Sequence, residues 1–282
     1  MMRSIFRILL GVGAAIAVLD LAVFGVLADS RAQEDAWLRL ANEIFKGRPL
    51  ADGTGVLALE MPSRAEDAAI VPLTVRATLP PTETRRIKSI TIVIDENPAP
   101  LAATFHIGPS AIVESLSTRV RVNSYTFVHA VAEFSDGMLY VVNTYVKASG
   151  GCSAPASKNT EKVNIGEMRF RQFENTAETT ANTRTTQIMI RHPNNSGLQM
   201  DQVTRLYIPA FFVHSLKVWQ GDDLLFAMEG SISISEDPNI RFTYASNDSK
   251  TLRVEAIDTE DHLFRGDWSL TKSGMETRES NN

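Results

Sequence analysis

The chain has 282 residues, 44% of them hydrophobic and 22% charged, with 33 acidic against 28 basic side chains and a formal net charge of −5. That balance belongs to a chain able to build a core rather than to a disordered one. With no basic cluster it also excludes nucleic acid as a partner.

The N-terminus reads as a separate export segment, residues 1–32. Arg3 and Arg7 precede an apolar run from Ile8 to Ala28, and the small residues Ser30 and Ala32 stand just before a cut at Gln33. This is the layout of a cleaved signal peptide. An uncleaved anchor is the competing reading, because the run is nearly long enough to span a bilayer. Asp20 in its middle opposes that, at about 2.5–3.5 kcal/mol for a carboxylate at the membrane centre. Cleavage leaves a mature chain with no stable membrane insertion.

After the cut, Trp37, Leu40, Ile44 and Phe45 share one face of a short helix expected over Glu34–Lys46, closed by Gly47 and Pro49. From Val56 the period changes to two. Strands are expected at Gly55–Met61, Ile70–Thr78, Lys88–Asp95, Ala102–Ile107, Leu116–Val122 and Tyr125–Phe134, with prolines between them. Ser135-Asp136-Gly137 is a turn, and Met138–Val146 is the returning strand of a hairpin. Residues 33–146 thus make one β-sandwich. Residues 147–185 follow as a cysteine-bearing loop and linker, relieved by one strand-like patch at Glu167–Phe173, and Asn175–Thr185 has a linker's composition. A second series at Gln187–Arg191, Leu216–Trp219, Asp223–Met228, Ile232–Ile234, Ile240–Tyr244, Leu252–Ile257 and Leu263–Leu270 makes a second sandwich over 186–272. Residues 273–282 are expected to be a disordered tail. The expected class is all-β, two immunoglobulin-like sandwiches joined by a flexible linker.

Cys152 is the single cysteine. An exported protein that keeps one thiol holds either an intermolecular partner or a reactive group. Here it sits in Gly150-Gly151-Cys152-Ser153-Ala154-Pro155, among small residues that describe an exposed, slack loop. Gly150 and Gly151 give the backbone freedom to swing. Lys147 and Lys158 are close enough in sequence to lower the thiol pKa modestly. The five histidines, His106, His129, His192, His214 and His262, have no metal-site spacing and read as structural, although a Cys–His pair assembled in space stays open. No phosphate loop, paired-cysteine motif or zinc signature is present, so no cofactor and no metal are expected. A thiol with slack on both sides and no built-in base suits a group that other proteins load and unload. A non-covalent binding or assembly module with an incidental cysteine is the alternative, and an enzyme ranks behind both.

Gly150-Gly151-Cys152 after a strand ending Val146-Lys147 resembles the carrier tail of SoxY, the carrier subunit of bacterial thiosulfate oxidation. Ser117-Thr118-Arg119-Val120-Arg121 and Asp136-Gly137 resemble the same family. His192-Pro193-Asn194-Asn195-Ser196-Gly197-Leu198 and Ile234-Ser235-Glu236-Asp237-Pro238-Asn239-Ile240-Arg241-Phe242 resemble SoxZ. Both in one chain are most similar to the quinoprotein dehydrogenase-associated SoxYZ-like carrier proteins. The resemblance implies two immunoglobulin-like domains packed as carrier and partner subunit, and a periplasmic location. It also implies a sulfur intermediate attached to Cys152, and partners among periplasmic redox or sulfur-transfer enzymes, with a PQQ-type dehydrogenase system as one possibility. The chain departs from the SoxY pattern in continuing past the cysteine.

Overall fold

The computed structural model describes residues 34–79, 83–155, 164–173 and 182–270. The export segment, residues 156–163 of the cysteine loop, most of the expected linker and the C-terminal tail lie outside the described residues. A helix, α1, covers residues 34–44, and Gly47 past its end takes a positive φ of 71°, the left-handed conformation that helix ends favour.

The rest is all-β. The first half supplies β1 (Leu50–Asp52), β2 (Leu57–Glu60), β3 (Val71–Ala77), β4 (Ile87–Ile94), β5 (Leu101–Ile107), β6 (Val113–Val120), β7 (Thr126–Phe134) and β8 (Leu139–Val146). The second supplies β9 (Met168–Phe173), β10 (Thr183–Ile190), β11 (Val213–Gln220), β12 (Asp223–Gly230), β13 (Asn239–Ala245), β14 (Thr251–Asp258) and β15 (Leu263–Ser269). Period-two patterning decides most of these strands: β14 buries Leu252, Val254 and Ala256 while the residues between them face outward. Local chemistry sets the turns. Between β7 and β8, Gly137 adopts φ +82° and the Asp136 carboxylate accepts the Met138 N–H at 2.9 Å.

The strands form two sheets in a sandwich arrangement, as the sequence predicts. The sequence does not reveal that both sheets run through both halves. One has nine strands in the order β1-β8-β7-β4-β5-β12-β11-β14-β15, the other six in the order β2-β3-β6-β13-β10-β9. The halves meet where β5 pairs antiparallel with β12 and β6 with β13, in registers that set Phe105 opposite Met228 and Leu116 opposite Phe242. Phe226 of β12 lies edge-on to Phe105 of β5 in its own sheet and, across the sandwich, to Phe242 of β13, with ring centroids 6.0 and 5.0 Å apart. Such pairs add about 0.5–1.5 kcal/mol each beyond their burial.

Two expected elements are corrected. Ile232–Ile234 alternates like a strand but forms a turn with one isolated bridge, Val120 to Ile234. Its polar residues face inward because they have partners there: the Ser233 hydroxyl donates to the Ala99 carbonyl at 2.8 Å, and Ser235 to that of Ala69 at 2.7 Å. Thr183, Arg184 and Thr185, read as linker, open β10, where pairing with β9 and β13 overrides their composition.

Because Phe226 and its neighbours belong to both halves and both sheets, Phe226→Ala should destabilise by about 3–5 kcal/mol. Calorimetry should show one heat-absorption peak displaced as a whole. Two peaks with only one displaced would show that the halves unfold independently.

Candidate functional site

The strand β8 does not simply end in a loose loop. Past Val146, Lys147 exchanges backbone hydrogen bonds with Ser63 and Ala65, so the chain stays pinned to the segment before β3. It then turns at Gly150, whose φ is +80°, and runs along the extension of β6: Gly150 N–H donates to Asn123 O at 2.8 Å and Gly151 N–H to Val122 O at 3.0 Å. Gly151 is therefore a close-approach glycine rather than a hinge. A Cβ there would lie 2.0 Å from the Ala68 carbonyl oxygen and 2.6 Å from that of Val122.

Cys152 is unpaired and buried, with no exposed surface. This overturns the expectation of a thiol held out in solvent. Small residues in sequence signalled slack, but here their smallness lets two backbones pack closely. Ser149 and Ser153 on either side are exposed while Ala148, Gly151 and Cys152 are buried.

Three side chains clasp the loop by its carbonyl oxygens. Arg121, just past β6, donates from its guanidinium to Gly151 O and to Asn194 O, each at 3.2 Å. The Ser196 hydroxyl donates to Cys152 O, and Gln199 Nε2 donates to Ala154 O at 3.1 Å. Gln199 Oε1 in turn accepts the Ser196 N–H at 3.0 Å, which fixes the two against each other. The clasp thus spans the halves: Arg121 comes from the first, and Asn194, Ser196 and Gln199 from the second.

Behind it lies a second layer. Asn97 Nδ2 donates to Arg121 O at 2.7 Å and to Ser233 Oγ at 2.9 Å, and its Oδ1 accepts the Asn123 N–H. Asn194 is held in the left-handed region, φ +42°, by its N–H to His192 Nδ1 and by the Val213 N–H on its side-chain oxygen. His192 is fully buried, lies tilted against Phe211 with ring centroids 4.4 Å apart, and stands 3.5 Å from Asp258. Burial pushes the His192 pKa down against the pull of Asp258. Burial alone would raise the Asp258 pKa, but the backbone N–H groups of His262 and Glu260 and the His262 ring lower it overall.

Burial also pushes the Cys152 thiol up to about 11, against the opposing positive charge of Arg121. The expected lowering by lysines is not what governs it: Lys147 is exposed and Lys158 lies outside the described residues. In this conformation the thiol is protonated at neutral pH and unreactive. Among the described residues no histidine donates to the loop. His129 pairs with Asp95 at 3.1 Å, His262 with Asp258 at 2.9 Å, and His106 lies 3.9 Å from Glu229. Among the described residues no three His, Cys, Asp or Glu side chains come together as a metal site.

Sequence reasoning placed Cys152 correctly at the end of the β7–β8 hairpin but missed Arg121, Asn97, Ser196 and Gln199. Arg121 and Ser196 carried a signal, each lying inside a motif on which the family resemblance rests.

A two-sheet β body with one cysteine clasped at the seam of its halves defines the class. The comparisons give the family. Residues 41–152 match the sulfur oxidation protein SoxY and residues 172–269 the sulphur oxidation protein SoxZ. The chain belongs to these sulfur-oxidation proteins as a fused, SoxYZ-like chain, and its SoxY segment ends on Cys152. Among solved structures it is similar to the sulfur carrier protein SoxY from Chlorobium limicola f thiosulfatophilum, at 24% identity over 43% of this chain and 98% of that one, with a TM-score of 0.36. No curated protein matches it.

The two glycines should separate by experiment. Gly151→Ala must push backbone apart and should destabilise by about 1–3 kcal/mol. Gly150→Ala meets no atom within 4 Å and pays only for its positive φ, about 1 kcal/mol. Equal, negligible effects in urea unfolding would restore the slack-arm reading.

Proposed function

We propose that the protein is a sulfur carrier of a sulfur-oxidation system, with the carried group attached through the Sγ of Cys152, and that it has no catalytic activity of its own. The observation that carries this reading is the position of the chain's only thiol at the last residue of the segment matching SoxY. The name of the SoxY neighbour, a sulfur carrier protein, agrees with it.

The chemistry then assigns two requirements. Attachment needs the thiolate, so the clasp must open to load the thiol and to present it. Joining a thiol to another sulfur at the thiol level forms an S–S bond and releases two electrons, so the loading partner must be a redox enzyme or must bring an already oxidised sulfur species. Periplasmic sulfur-transfer enzymes fit this role. A link to a PQQ-type dehydrogenase rests on the resemblance to quinoprotein-associated chains. Export by cleavage before Gln33 belongs to the same proposal.

One observation favours a second reading. A thiol with no exposed surface is what a non-covalent module with an incidental cysteine would have.

Intact mass of the protein isolated from its own cells without reductant separates the two and also reads the N-terminus. The carrier reading expects a chain starting at Gln33 with a reductant-labile, sulfur-containing mass addition that is absent from Cys152→Ser. A Cys152 that is unmodified under every growth condition tried would sink it.

A further inference from the structure

Arg121 is the only lysine or arginine among the described residues that the fold buries, with 1% of its surface exposed. Its guanidinium reaches two carbonyl oxygens, Gly151 O and Asn194 O, and among the described residues its Nε has no acceptor. No carboxylate pairs with it among the described residues. Glu236 and Asp67 pull on it electrostatically, but burial outweighs that pull, lowering its pKa. A buried cation without a counter-ion is destabilising by several kcal/mol, and carbonyl dipoles offset only part of this. The charge is nevertheless placed on the residue that precedes the chain's only thiol.

We infer that Arg121 is the counter-ion of an anionic sulfur group carried on Cys152, so that the closed seam selects adducts bearing negative charge beyond the sulfur over neutral or cationic ones. The inference rests on the carrier reading and deepens it by naming the residue that recognises the cargo. With the thiol empty, the guanidinium has only carbonyl dipoles. With a thiosulfonate or a persulfide anion on Sγ, its unused Nε and its positive charge gain a charge-assisted partner. The loaded protein then closes more firmly than the empty one, which shields the adduct until a partner opens the clasp.

Three adducts on the purified full chain test this, each introduced by exchange under mild denaturant and returned to buffer. Tetrathionate gives the anion: the thiolate attacks a central sulfur, the central S–S bond breaks and thiosulfate leaves with the electron pair. Methyl methanethiosulfonate gives the neutral methyl disulfide, with methanesulfinate leaving. Cystamine gives the cationic aminoethyl disulfide, with cysteamine leaving. The thiosulfonate form should melt above the methyl disulfide by at least about 2–4 °C, the shift expected of roughly 1 kcal/mol in a body this size. The aminoethyl form should melt lowest. In Arg121→Gln the order by charge should vanish; in Arg121→Lys it should persist, reduced. A merely structural arginine would lower all three melting temperatures together and leave their order alone. No gap in the wild type, a reversed order, or the same gap in Arg121→Gln would overturn the inference. If Arg121→Gln does not fold, the wild-type order and Arg121→Lys decide. Reagents load the thiol here whatever occurs in cells. An empty Cys152 in cells therefore counts against the carrier reading alone, and a missing charge order against the counter-ion alone.

Discussion

Two antiparallel pairings, β5 with β12 and β6 with β13, make a single body of two halves, and the cysteine site depends on them. Around the end of β6 the pairing carries on as an irregular stitch: Ser235 N–H donates to Arg119 O, and Arg121 N–H to Ser233 O at 2.8 Å. That stitch fixes Arg121 at the seam. From there its guanidinium spans the cysteine loop and the 192–199 loop of the second half. Without the shared sheets, Arg121, Ser196 and Gln199 would belong to different bodies and could not close on one loop.

The clasp explains how a thiol can be both central and inert. It grips carbonyl oxygens of Gly151, Cys152 and Ala154 and, among the described residues, leaves the sulfur without a hydrogen bond. Backbone hydrogen bonds of this kind contribute about 0.5–1.5 kcal/mol each. A loop held by a handful of them opens with a free energy below that of the whole body. A carrier needs that gradation: closed often enough to protect an adduct, open often enough to exchange it. The second half therefore supplies the lock as well as sheet edges.

Much of the fold was legible because its signals are local. Alternation in β13 and β14, the Asp136-Gly137 turn and the hairpin leading to Cys152 are all read within ten residues. The misread elements are those decided across the chain. Ile232–Ile234 has a strand's alternation, but Ser233 and the neighbouring Ser235 meet carbonyls 134 and 166 positions away. The cysteine loop failed for a related reason. Gly-Gly beside small residues is the same string whether the chain is free to swing or must pass another backbone at van der Waals distance. Only the Ala68 and Val122 carbonyls, set by another part of the fold, distinguish the two. The family likeness survived this error, since it rests on the order of motifs rather than on the exposure of any residue.

The central claim is that Cys152 is a latched thiol which opens without unfolding the protein. It is tested most directly by the native-state alkylation rate of Cys152 at increasing urea, in the wild type and in Gln199→Ala. The account predicts a rate in water well above that of global unfolding, nearly independent of low urea. It also predicts a several-fold increase in Gln199→Ala that exceeds any loss of global stability. A rate that tracks global unfolding throughout, unchanged by Gln199→Ala except through overall stability, would mark Cys152 as an ordinary core residue and contradict it.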